Sequence, residues 1–319
     1  MDTVFKIRVF LIILFLSVFA MVQAQVRTEV TVRYRSNQEL ANQIENAVAQ
    51  LINEANSSYA GQTKLSLDSK CFTALAINRI NSIWENSPFY CAEGSIQLNL
   101  LKQAAANFEL RNIPVLVNNG AGDVENAELV INVNAVGKVE DISFALDYHM
   151  YTKIMDNKLP AREYRQKKII TDFVENYRTA YNRKDIAFLD EVFSDNALII
   201  VGRVIEPDLT SQEVKLADPE KVEYVKQNKS EYISHTKRVF ASNKQIRVFF
   251  DDIDISISPK NDNIYGVQLL QTWRGDYYAD KGYLFLMIDF TDDEHPKIYV
   301  RTWQPEKDED LFDLGSFVF

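Results

Sequence analysis

Residues 163–202 read EYRQKKIITDFVENYRTAYNRKDIAFLDEVFSDNALIIVG, and this stretch decides the fold. Ile169, Phe173, Tyr177 and Tyr181 recur every fourth residue, with Ile170 and Val174 beside them. That spacing describes an amphipathic helix whose apolar stripe is wide enough to cover a sheet. Asn182-Arg183-Lys184-Asp185 breaks the helix and a short second helix ends at Phe193. Ser194-Asp195-Asn196 then turns the chain into an apolar strand over 197–201.

Downstream, residues 202–226 read as a polar, irregular excursion. A third helix spans 228–242, with Tyr232, Val239 and Phe240 facing inward. Four strands follow, over 245–256, 263–274, 282–290 and 297–304, joined by short turns at 259–262, 275–276 and 292–294. Long strands joined by short turns make an antiparallel meander. The expected fold class is α+β: a cone-shaped, curved antiparallel sheet packed on three helices. Residues 305–319 form an acidic tail whose last residues, Leu314-Gly315-Ser316-Phe317-Val318-Phe319, suit a final docking strand.

Upstream, Lys6 and Arg8 precede an apolar run over 9–21, and Val22-Gln23-Ala24 fits cleavage before Gln25. Residues 1–24 therefore read as a signal peptide, which places the mature chain in a periplasmic or extracellular compartment. The apolar run is shorter than the roughly 20 residues a membrane span needs, and no later stretch is long enough to cross a bilayer. Residues 25–147 read as an N-terminal α+β domain. Helices start at Ser36 with Glu39 three residues on, and again near Thr73; 63–67 suits a strand between them, and hairpin strands lie over 108–117, 128–134 and 138–146. This domain reads either as a degenerate copy of the second or as an unrelated α+β cap. Residues 148–162 read as a connector.

The chain is 46% apolar and 12% aromatic, ample for two cores. Its formal net charge is -10, and loss of a leader carrying two positive charges and one negative lowers it to -11. Such a surface argues against nucleic acid or anionic membrane as a partner. Cys71 and Cys91 are the two cysteines. In an exported chain they read as one disulfide, contributing about 3 kcal/mol, or as two buried free thiols. The histidines, His149, His235 and His295, share no metal-ligand spacing, and nucleotide, serine-hydrolase and zinc-protease motifs are lacking. No metal or cofactor is expected.

Tyr177-x-x-x-Tyr181-Asn182-x-x-Asp185, then Leu189, Phe193-Ser194-Asp195-Asn196-Ala197 and a late Arg301-Thr302-Trp303, carry a resemblance. Residues 163–304 resemble the nuclear-transport-factor-2-like superfamily, the cone-shaped fold shared with ketosteroid isomerase and polyketide cyclases. Ketosteroid isomerase works with an Asp base and an oxyanion hole made of a Tyr and a protonated Asp. The resemblance sets Tyr177 at the oxyanion Tyr, Val201 at or near the base, and Tyr283 or Leu284 near the second acid. One role of three is filled.

Outside that pattern, Trp273-Arg274 and Arg301-Thr302-Trp303 lie on two late strands and suit gripping a flat or anionic ligand. His235 is a further pocket candidate. Asp289, among Phe285, Leu286, Met287, Ile288 and Phe290, reads as an acid in a pocket or as a cross-strand partner of Arg301. The expected role is an exported, non-catalytic binding or assembly protein. Its ligand would be a small molecule or peptide, and it would form a homodimer across an exposed sheet face. The competing expectation is a cyclase- or isomerase-type enzyme using Tyr177 and Asp289. An enclosed cavity where that hydroxyl meets a carboxylate favours the enzyme; a hollow plugged by aromatics favours binding.

Overall fold

A computed structural model of the chain describes residues 27–103, 107–118, 124–146, 150, 154, 163–205, 221–305 and 311–317. The leader at 1–24, His149 and most of the 148–162 connector lie outside the described residues. Chain contacts divide into two compact units, Met1–Trp84 with Pro88–Ile142, and Glu85–Ser87 with Ser143–Phe319.

In the first unit α1 (Gln38–Gly61) buries Leu40, Ile44, Ala47, Val48, Leu51, Ile52 and Ala55. Its N-cap is Asn37, not Ser36, because the Asn37 side chain accepts from Leu40 N at 3.1 Å. The helix ends at Gly61, and buried Asn56 within it accepts from Cys91 N at 2.8 Å through its Oδ1. No strand forms over 63–67, so α2 (Ala74–Asn86) follows α1 directly. The strands are β1 (Glu29–Arg33), β2 (Phe89–Tyr90), β3 (Ser95–Asn99), β4 (Leu101–Lys102), β5 (Phe108–Asn118), β6 (Val124–Val133) and β7 (Val139–Phe144). β1 and β3 pair in parallel, and the larger sheet runs β2-β5-β6-β7 with β4 on β5.

The second unit opens with α3 (Glu163–Asn182), which buries Ile170, Phe173, Val174, Tyr177, Ala180 and Tyr181, as the four-residue spacing requires. The opposite side carries buried polar groups that hold the preceding chain. Glu175 accepts from Leu146 N at 2.9 Å, and Arg178 donates to the carbonyls of Phe144 and Ala145. The break is made by Lys184 in the left-handed region at φ 57° and by Asp185, which caps α4 (Ile186–Val192) through Phe188 N at 2.9 Å.

α4 feeds β8 (Phe193–Ile205). The excursion expected over 202–226 is strand at both ends: β8 continues to Ile205 and β9 (Lys221–Gln227) pairs with it, antiparallel. β9 escapes a hydropathy reading because Glu223, Tyr224, Val225 and Lys226 are exposed, with Val222 and Gln227 half-buried. α5 (Lys229–Ser242) starts with a capping box between Asn228 and Glu231. The meander then comprises β10 (Ile246–Ser258), β11 (Asn261–Gly275), β12 (Ala279–Asp289) and β13 (Lys297–Gln304). The sheet order is β10-β11-β12-β13-β8-β9, and β13 joins β8 in parallel, so the sheet is not antiparallel throughout.

This sheet has two unlike faces. One packs on the three helices through Val248, Phe250, Val267, Leu269, Leu284, Leu286 and Ile288. The other carries Phe285, Met287 and Val300, covered by Phe312, Leu314 and Phe317 from the C-terminal tail. The tail docks as a single 3-10 turn over Leu314–Ser316 rather than as a strand. The face read as open to a second copy is therefore covered at these residues.

Candidate functional site

Strand alternation selects what enters the hollow under the helices. Leu284 and Leu286 face the helices, and their cross-strand partners are Trp303 and Arg301. Arg301 and Trp303 therefore share that face, both nearly fully buried. α3 contributes Tyr177 and, one turn on, Tyr181; the first turn of α5 contributes Tyr232. The three hydroxyls form a chain, Tyr177 to Tyr181 at 3.0 Å and Tyr181 to Tyr232 at 2.5 Å. The Arg301 guanidinium lies 5.1 Å from the centre of the Tyr232 ring, a cation–π contact. Phe173, Phe193 and Phe250 surround Tyr177 with centroids at 6.1, 6.4 and 6.3 Å.

Burial sets the electrostatics. It pushes the Tyr177 phenol well above its ordinary value, as does neighbouring Tyr232, while Arg301 pulls the other way. Tyr181 is raised by burial and by both tyrosine neighbours. At Arg301, burial opposes the charge and the phenol oxygens favour it; the balance keeps the guanidinium protonated. That charge is poorly compensated. Arg301 Nε and Nη1 and Trp303 Nε1 are buried and have no hydrogen-bond partner among the described residues. A hydrogen bond with Tyr177 and the Tyr232 ring compensate the charge only in part, and each buried N–H left without an acceptor adds to its cost.

The other candidate residues divide between the two faces. Trp273 pairs with Val248, is half-buried, and meets Tyr181 edge-on at 5.7 Å, so it belongs to the hollow. Arg274 does not: alternation turns it to the opposite face, where it is exposed and lies 5.4 Å from the Phe249 ring. Asp289 is also on the outer face, paired with Ile264 and Lys297 rather than Arg301. Its carboxylate closes the following turn by accepting from Thr291 N at 2.8 Å and Thr291 Oγ1 at 2.6 Å. Both readings of Asp289, pocket acid and Arg301 partner, are thereby corrected. His235 is exposed on α5, whose buried side is Tyr232, Thr236 and Phe240. Cys71 and Cys91 are free thiols. The Cys71 backbone is tied to Asp68 and Val139, that of Cys91 to Asn56, which anchors the two thiols to different elements.

Three participants were not singled out from sequence. Tyr181, a stripe and motif residue, and Tyr232, an inward aromatic, carry no site role in the sequence reading, yet their hydroxyls extend the Tyr177 chain. Asp280 is the third. β12 begins at Ala279 rather than Gly282, and Asp280 pairs with Trp273, which sets it on the inner face. The pattern Asp280, Gly282, Leu284, Leu286 was the available signal. Burial raises the Asp280 pKa, against hydrogen bonding from Tyr278 and the pull of Arg301, and its Oδ1 has no partner among the described residues. A separate cleft of about 240 Å³ lies where α3 and α4 meet the β12–β13 turn, lined by Phe173, Asn176, Glu191, His295 and Lys297 among others.

The motif that carried the resemblance has structural duties. Asn182 stitches α3 to β10, its Oδ1 accepting from Val248 N at 2.6 Å. Asp185 caps α4, and the two tyrosines bond one another. Helix, short helix, strand, helix and a four-strand meander curled on those helices complete the arrangement. Over residues 163–304 this is the order of helices and strands that the nuclear-transport-factor-2-like resemblance implies.

The sequence matches no family model and no curated protein. Solved structures similar to it include a nuclear-transport-factor-2-like protein from Cytophaga hutchinsonii, 16% identical, which matches 44% of this chain and 98% of its own with a TM-score of 0.33. A protein of the same family from Streptomyces avermitilis, named for dehydratase activity, is 11% identical over 45% of this chain and 99% of its own, at 0.32. Bd1075 of Bdellovibrio bacteriovorus is 12% identical over 66% of this chain and 94% of its own, at 0.35. Scores and identities this low say nothing about chemistry.

Proposed function

We propose that this is an exported, non-catalytic protein whose second unit binds a small molecule or peptide through the hollow of its cone, or assembles through its sheet. One observation supports this above the rest. The Tyr177 hydroxyl is committed to the Tyr177–Tyr181–Tyr232 chain, and the groups that shift its ionisation are tyrosines and Arg301, with no carboxylate among them. An isomerase-type site needs a proton acceptor beside the oxyanion donor. Val201, at or near the base position, cannot take a proton, and Asp289 faces away. Export rests on the leader-like composition of residues 1–24 alone.

The test is native mass spectrometry of the protein as purified from its source. The expected result is a retained non-covalent ligand, or a stable assembly, that is chemically unchanged on prolonged incubation. Conversion of a bound molecule by the wild type but not by Tyr177→Phe would overturn the reading.

A further inference from the structure

The inner face carries unpartnered groups of both polarities, and they are contiguous. Arg301 and Trp303 are two residues apart on β13 and share that face. Their orphaned atoms, Arg301 Nε and Nη1 and Trp303 Nε1, are all donors. The Trp303 indole lies over Gly282, where a Cβ would come within 2.6 Å of Trp303 Cζ2. Gly282 thus lets the indole cross β12. Two residues before it on the same face stands Asp280, whose orphaned Oδ1 is an acceptor. Asp280 is half-buried and pairs with half-buried Trp273, so this end of the hollow reaches solvent. The guanidinium is near enough to pull on the Asp280 carboxyl, yet the two form no ion pair among the described residues.

A cation and an anion that face one interior without meeting call for something with both charges between them. A simple anion would satisfy Arg301 and leave Asp280 unpaired; a simple cation would do the reverse. We propose that Arg301 and Trp303 on one side and Asp280 on the other are the two poles of a binding site for a small zwitterion of the free amino-acid type. The ligand carboxylate lies on Arg301 and the Trp303 indole N–H, and its ammonium on Asp280. Tyr232 and Trp273 supply aromatic walls. The inference rests on the binding reading above and narrows its ligand class.

The experiment uses the full chain and each of the common free amino acids in turn, followed by thermal shift and tryptophan fluorescence. The expected result is a saturable response to at least one of them. Its N-acetyl derivative, which lacks the ammonium, and its decarboxylated amine should each bind at least tenfold more weakly. Arg301→Met and Asp280→Asn should each weaken the response at least tenfold, and Arg301→Lys should retain part of it. The melting transition of each variant reports that it is folded. No response to any amino acid, equal binding of either one-charge analogue, or a response that survives both substitutions would overturn the proposal. A retained ligand of another class would sink the zwitterion and leave the binding reading standing; turnover would sink the binding reading itself.

Discussion

The two faces of the six-stranded sheet solve the same problem in different ways. The inner face is covered by α3, α4 and α5, whose side chains interlock with it in one core from Ile170 to Ile298. The outer face, at Phe285, Met287 and Val300, is covered by a tail. Among the described residues the sheet bonds that tail at Phe312, through Gln268 Nε2 and Gln304 Oε1, and its rings meet Phe285 at 5.9 Å and Tyr224 at 6.0 Å. The inner cover is built into the fold and cannot leave without unfolding it. The outer cover is a few side chains on one segment, and it is the cover that a second chain could replace.

The sharpest way to break this comparison is at Tyr177, fully buried and ringed by Phe173, Phe193 and Phe250. Truncation there leaves a cavity inside a core already filled. Tyr177→Ala is expected to cost about 3–5 kcal/mol in chemical denaturation, the range for large aromatic deletions. Tyr177→Phe keeps the ring and loses the hydroxyl's bonds to Tyr181 and Arg301, and should cost about 1–3 kcal/mol. Near-equal effects of the two would mean that the hydroxyl chain, rather than the packing, holds the interior.

A smaller effect on stability, but a larger one on association, is expected from the other face. Deleting residues 311–319 uncovers Phe285, Met287 and Val300. The loss should be about 1–3 kcal/mol, comparable to exposing one or two large apolar side chains. The truncated chain should also sediment faster than the full chain at equal concentration, as the freed sheet face pairs with a second copy. A truncated chain with unchanged melting and unchanged sedimentation would show that the tail covers nothing of consequence.

The difference between the faces also explains what could be read in advance. Helix α3 and the meander were legible because each is half-buried, and half-burial writes a period of 3.6 or 2 into the sequence. β9 left no such mark: it is an edge strand with Lys221, Glu223 and Lys226 along it, and charge on an edge hides a strand from hydropathy while guarding it from pairing. The parallel join of β13 to β8 depends on partners about a hundred residues apart and has no local signature. Strand alternation sets Asp289 on the face opposite Ile288, but sequence does not say which of those faces looks inward; the helices packed on Ile288 decide it. Asn182 and Asp185 were visible as a motif, yet a stitch to Val248 and a helix cap read the same in sequence as a catalytic pair would.

The smallest effect, and the one that bears most on the hollow, is at Asp280. Burial raises its pKa above the 3.8 of a free carboxyl, outweighing Tyr278 and Arg301. A carboxyl raised on folding stabilises the fold in its protonated form. That contribution is fully present below the unfolded value and is lost as the pH climbs through the folded one. At neutral pH the wild type has lost it, whereas Asp280→Asn never carries the ionised form. The variant should therefore melt above the wild type at pH 7, and the gap should close as the pH is lowered towards the unfolded carboxyl value. A gap of the opposite sign would mean that Arg301 holds the carboxylate more strongly than burial opposes it. The two would then form an ion pair across the mouth of the cone, and the interior would have no unpaired charges left to offer a ligand.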